Sequence, residues 1–174
     1  ATKANEVTSK QVVFQTTFLF SVYKKKSKFF KTNIDHQMIT FNYETPFVLE
    51  AEPSYEKWIE TVILNHGFTL GEINYIFCDD VYLHKLNIEF LQHDTLTDVI
   101  SFDNTIGKII NGDIYISIER VADNAEDYKV LFLEELHRVM IHGVLHYLGY
   151  KDKDPVDKKA MTLEEDRALS FLII

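Results

Sequence analysis

The run HRVMIHGVLHYLGYKDKD, residues 137–154, constrains this chain more than any other stretch. His142 and His146 stand four apart in an apolar segment of helical spacing. Residues four apart in an α-helix differ by about 40° around the axis, so both imidazoles point the same way. Gly149 ends the helix and lets the chain turn back. Asp152 comes six residues after His146, close enough for its carboxylate to return to the same ion. Two helical ligands and one from the turn make a three-ligand site with an open position. A catalytic metal needs that opening, whereas a structural zinc closes all four positions. Metalloprotease helices carry a similar pair, but with a glutamate base directly after the first histidine. Here that residue is Gly143, which argues against a zinc peptidase.

The rest of the chain must supply a scaffold for that helix. Its 174 residues, 46% of them hydrophobic, suit one domain with one core. Cys78 is the only cysteine, so no intrachain disulfide forms. A reducing, cytoplasmic setting is the natural reading, with Cys78 as a small core residue. The apolar stretch Val12–Tyr23 is too short to span a membrane and is broken by Gln15, Thr16 and Thr17. The basic cluster Lys24, Lys25, Lys26, Lys28 and Lys31 follows it, the reverse of a signal peptide. No membrane partner is expected.

Charge divides the chain. Residues 1–37 hold seven lysines against Glu6 and Asp35, a net of +5, so residues 38–174 of this −9 chain carry −14. Residues 1–37 read as a basic N-terminal extension, weakly ordered or not native, with Met38 a candidate start. Residues 38–174 read as the metal-dependent domain. So acidic a body binds polyanions poorly through its overall field.

From Met38 the pattern is regular. Ile39–Tyr43, Ile73–Cys78, Asp98–Phe102 and Gly112–Ser117 read as strands. Helices are expected from a Ser54 cap to Gly67, over the segment DDVYLHKLNIEFL with Leu83, Leu86 and Phe90 inward, and over Glu119–Asp127. Two more run from about Leu131 to Leu148 and from about Pro155 to Leu172. This order predicts an α+β fold: a small mixed four-stranded sheet packed with about five helices, and the metal site at the end of the long central helix.

Several motifs occur together and in order. HGVLHYLGYKD resembles the signature H-G-x-L-H-x-x-G-Y-D-H of the YbeY-like rRNA maturation endoribonucleases. LNIEFLQHDTLTDVISF, NGDIYIS and EELHRVMIHG resemble other segments of the same family. The resemblance runs from about Met38 to the C-terminus. It implies a zinc-dependent, single-strand-specific endoribonuclease that acts on ribosomal RNA. Such an enzyme would mature the small-subunit rRNA 3′ end and serve ribosome quality control, with rRNA and the small ribosomal subunit as partners. It implies one Zn(2+) per chain, with Mn(2+) possible, held by His142, His146 and Asp152. A divalent ion lowers the pKa of bound water and polarises a phosphoryl oxygen. Attack by that water and attack by the RNA 2′-hydroxyl both remain open. An alternative is a ribosome-associated factor with a metal site and weak or no nuclease activity.

Two positions depart from the family. Its third ligand is usually histidine, here Asp152, and the arginine it places before the T-D-V segment is here Leu91. Arg138, four before His142, is the candidate replacement for that positive charge; the alternative is a surface pair with Glu134 or Glu135. Asp98 is a candidate to hydrogen-bond a metal-ligating imidazole, or else a turn residue. Thr97 is expected to cap or orient a loop, Asn87 to hold a loop, and Asp113 to be structural. His137 is expected to pack or to support the site from behind. His36, His66, His84 and His93 read as surface or cap residues. The alternative for Asp152 is a cap of the turn, with coordination left to Asp154 or water.

Overall fold

The computed structural model describes residues 38–173. The expected basic extension, residues 1–37 with His36, lies outside the described residues. In chain order the elements are β1 (Ile39–Tyr43), α1 (Glu52–Asn65), β2 (Thr69–Cys78) and α2 (Asp80–Leu86), which runs on as a π turn, Asn87–Leu91. Then come β3 (Val99–Asp103), β4 (Ile109–Ser117), α3 (Ile118–Tyr128), α4 (Phe132–Tyr147) and α5 (Pro155–Leu169). The strands form one mixed sheet in the order β1-β2-β4-β3. β1, β2 and β4 are parallel, and β3 is an antiparallel edge strand on β4. The expected α+β architecture is therefore present, with four strands and five α-helices among the described residues. None of these helices is long and apolar enough to cross a membrane.

Alternation along the strands decides which face is covered. Ile110, Ile114 and Ile116 of β4 are buried in the main core, while Asp113 and Tyr115 between them face the other way. Helix α4 lies on the core face. The Tyr75 hydroxyl donates to the Met140 carbonyl at 3.1 Å. The Tyr147 hydroxyl reaches the carbonyl oxygens of Phe102 and Asp113 at 3.1 and 2.9 Å, which pins the end of α4 to the β3–β4 pair. Gly112 lies under that hydroxyl, where a Cβ would come within 2.5 Å of it and of the Phe102 carbonyl. Helix α1 buries Trp58, Ile59, Val62 and Ile63, and the Trp58 indole N–H donates to the Ala168 carbonyl at 2.7 Å, tying α5 to α1. Cys78 is buried as expected, and burial pushes its thiol up to about 12.

Some boundaries differ from the sequence reading, for physical reasons. Helix α1 starts at Glu52, not after a Ser54 cap, because Pro53 fits a first turn where no N–H is required. The expected second helix is split. Asp79 caps it, accepting from the Tyr82 N–H at 2.7 Å, but its last turn widens into the π turn. Phe90 consequently does not point inward: it is exposed and meets Phe102 edge-on, ring centroids 5.3 Å apart. Asn87 holds the following loop, donating to the Thr95 carbonyl at 2.7 Å. Helix α5 stops at Leu169, short of Leu172.

Candidate metal centre

Helix α4 and the turn after it bring His142, His146 and Asp152 together. The two Nε2 atoms are 3.0 Å apart. Asp152 Oδ2 lies 3.6 Å from Nε2 of His142 and 3.9 Å from that of His146. Ligands about 2.1 Å from a tetrahedral zinc stand about 3.4 Å from one another, so this spacing is of the right size. Side-chain exposures of 22%, 30% and 43% leave the donor edges open to solvent on one side.

What lies behind each ring decides which nitrogen is free. His146 Nδ1 is 3.0 Å from the Tyr150 carbonyl oxygen, and His142 Nδ1 is 2.7 Å from Glu165 Oε1. Both partners can only accept, so both Nδ1 atoms carry protons and donate. Two Nε2 lone pairs and a carboxylate oxygen are thereby turned toward one point. Such a cluster calls for positive charge at its centre, and a divalent cation fits that donor chemistry. Burial opposes protonation of His142, but Glu165, with Asp152 and Asp98, outweighs it and raises the ring above its ordinary value. Burial lowers His146, and the neighbouring His142 lowers it further.

The remaining members of the site come from outside the α4 motif. The sequence model of the endoribonuclease YbeY family matches residues 37–172. The chain belongs to the endoribonuclease YbeY family. It is 61% identical over 134 residues to the endoribonuclease YbeY of Flavobacterium psychrophilum, a match covering 77% of this chain and 96% of that protein. The YbeY of Flavobacterium johnsoniae is 56% identical over 134 residues, with the same coverage. Among solved structures, the solution structure of TM1509 from Thermotoga maritima aligns with a TM-score of 0.55 at 24% identity, covering 78% of this chain and 89% of that one. That last likeness concerns the fold alone.

Against the family motif, the structure reassigns several residues. Arg138 does not stand free to meet a phosphate, nor does it pair with Glu134 or Glu135. Its Nη1 donates to Glu165 Oε2 at 3.0 Å and its Nη2 to Asp166 Oδ1 at 2.8 Å, both on α5. Glu134 instead accepts from the Leu131 N–H at the start of α4, and Glu135 is buried. Asp98 does not hydrogen-bond an imidazole: it lies just before β3, and its Oδ2 accepts from Asn124 at 3.1 Å. Asp154 is the cap of α5, accepting from the Val156 and Asp157 N–H groups at 2.9 Å, which leaves Asp152 at the histidines. Leu91 lies on the π turn and is exposed. His137 packs away from the site, 3.0 Å from the Tyr55 hydroxyl. Asp113 accepts from Asn74 at 2.7 Å in a side-chain ladder across the sheet.

Gly143 has a packing explanation. One residue past His142, its α-carbon faces β4, and a Cβ there would meet Ile114 at 3.0 Å. A glutamate at this position would drive into the sheet instead of reaching the donors.

Glu165 is the residue that sequence reasoning missed. It is 23 positions from His142, beyond any local spacing rule. The available clue was its place among buried Met161 and Ala168 on α5, where a carboxylate has to have partners. Burial acts to raise its pKa, but hydrogen bonds from His142 and Arg138 prevail and hold it below the ordinary carboxylate value.

Proposed function

We propose that this chain is a metal-dependent endoribonuclease that cuts single-stranded ribosomal RNA, in maturation of the small-subunit rRNA 3′ end and in ribosome quality control. The observation that carries the reading is the convergence of His142 Nε2, His146 Nε2 and Asp152 Oδ2, all within 4.8 Å of one another. The nuclease names of the relatives support it. Two imidazoles suit zinc, and the carboxylate admits manganese. A divalent cation bound there would polarise a phosphoryl oxygen and acidify water.

The chain's own residues contribute position and charge. The Tyr150 carbonyl and Glu165 hold both imidazoles with Nε2 outward. Gly143 leaves α4 without the peptidase base. Lys151 and Lys153 are exposed, flank Asp152 and make no ion pair with the described residues. They bring positive charge to a phosphodiester in an otherwise acidic domain. A cytoplasmic setting, with the small ribosomal subunit as partner, goes with this reading.

Cleavage of rRNA by wild type and by His142→Ala, at matched folding, tests it. Metal-dependent cleavage that falls at least about 100-fold in the variant is expected, since loss of even a partner behind a ligand costs about 10–100-fold. Equal cleavage by both proteins overturns the reading. The charge of −14 over residues 38–174 favours one second reading, a ribosome-associated factor with weak or no activity on RNA. That reading predicts binding to the small subunit that His142→Ala leaves intact, with no metal-dependent cleavage by either protein.

A further inference from the structure

We propose that Glu165 is a positioning residue of the metal centre and that Arg138 acts through it, so that α5 is part of the centre. The proposal rests on the reading of His142, His146 and Asp152 as a metal site.

Both oxygens of the Glu165 carboxylate are occupied. Oε1 accepts from His142 Nδ1 at 2.7 Å and Oε2 from Arg138 Nη1 at 3.0 Å, with the side chain only 8% exposed. The alternative is a salt bridge that merely docks α5 on α4. Helix α5 is already held in place by contacts to α1 and the core. Trp58 reaches the Ala168 carbonyl, Glu164 meets His66 at 3.1 Å, and Met161 and Ala168 are buried. A buried ion pair is also a poor docking device, because apolar side chains of similar volume in place of both partners often dock as well or better. What an apolar side chain cannot do is accept the His142 Nδ1 proton. That bond fixes the ring angle and the tautomer, and its negative charge makes Nε2 a better donor to a cation. Arg138, one turn before His142 on the same helix, holds the carboxylate's other oxygen and so sets its direction. Its second contact, Asp166, is 58% exposed and is worth little by itself.

The test is zinc affinity by chelator competition, with the melting temperature of the ion-free protein and the His142 Nδ1 proton resonance of the zinc-loaded protein. Wild type that takes up neither zinc nor manganese removes the metal-site reading itself. If wild type binds, Glu165→Leu is expected to lose about 10–100-fold in zinc affinity while still unfolding cooperatively, with a lower melting temperature because Arg138 and the His142 Nδ1–H lose their partner. Glu165→Gln keeps an accepting oxygen without the charge, so its affinity falls between the two and the ring-proton resonance shifts. Affinity within about threefold of wild type in Glu165→Leu overturns the proposal, since such a partner typically costs more. Should Glu165→Leu fail to fold, Glu165→Gln decides: unchanged affinity and an unchanged resonance overturn it. Arg138→Met is expected to weaken binding severalfold in wild type and not at all in the Glu165→Leu background. An equal loss in both backgrounds shows that Arg138 does not act through Glu165.

Discussion

His142 and His146 present the same atom to the same point, but the regions that hold them differ. Behind His146 is a main-chain carbonyl four residues later, supplied by the turn at Gly149. Behind His142 is a buried carboxylate on another helix, 23 residues later, itself gripped by an arginine. One anchor is local, neutral and available wherever the turn forms. The other is charged and exists only when α5 is docked. The two rings show the consequence: His142 is raised above the ordinary histidine value and His146 lies below it. Equal ligands by spacing are thus unequal by support.

The largest expected effect treats them alike. His142→Ala and His146→Ala each delete a donor, and each should lose most of the bound metal while remaining folded. Elemental analysis of the purified variants measures this. Full metal in either one would mean that the donor set is wrong and the comparison of anchors empty.

Asp152 comes next. It is the most exposed of the three donors and, among the described residues, has no hydrogen-bond partner behind the site. Asp152→Ala is expected to cost at least about tenfold in metal affinity, or about 1.4 kcal/mol. Asp152→His should bind zinc at least as well and lose preference for manganese, because a carboxylate oxygen is the harder ligand. Wild-type affinity in Asp152→Ala would leave only the two histidines and move the argument to their anchors alone.

How much of this was legible follows the same division between local and distant. The shared face of His142 and His146, the turn at Gly149 and the return of Asp152 all lie within one segment, 137–154, and spacing alone places them. The four strands could be read because their alternation matches a sheet whose main core lies on one face, with a smaller cluster under α2 on the other. Three things could not be read. Glu165 needs α5 to fold back along α4, which no periodicity reports. The true partners of Arg138 are on α5, while spacing offered only Glu134 and Glu135. The π turn at Asn87–Leu91 keeps a helical sequence pattern but turns Phe90 outward. In each case a contact between distant segments outweighed a local rule.

A change at Gly149 separates the anchors. Its φ is +95°, in the left-handed region, and a Cβ there would meet nothing within 4 Å. Gly149→Ala therefore costs conformational energy without a clash, about 1–2 kcal/mol for a residue forced into that region. Because Tyr150 follows directly, relaxation of the turn should move the carbonyl that holds His146 and leave Glu165 at His142. The expected result is a modest loss of zinc affinity, a shifted His146 ring-proton resonance and an unchanged His142 resonance. Equal shifts at both rings would show that the anchors are not independent.

The smallest effect brings in the third histidine of α4. His137 is half-buried against Tyr55 and Trp58, its Nε2 is 3.0 Å from the Tyr55 hydroxyl, and no carboxylate of the described residues bonds to it. Burial pushes it below the ordinary value of 6.5, more than the charge of Glu134 restores. Between that lowered value and 6.5 the unfolded chain binds a proton that the native ring does not. Stability contributed at this site is thus present above 6.5 and is lost as pH falls toward the native value. His142 has the opposite sign in the ion-free chain: its raised value gives stability below 6.5 that is lost as pH rises through it. His137→Gln keeps a polar group beside Tyr55 but cannot titrate. Melting of ion-free wild type and variant between about pH 5 and 7, around the histidine range, should show the variant losing less stability on acidification. The same scan on Glu165→Leu should lose the His142 contribution and keep that of His137. If His137→Gln and wild type run parallel, the ring is protonated equally in both states, and lack of a carboxylate is not what separates His137 from His142.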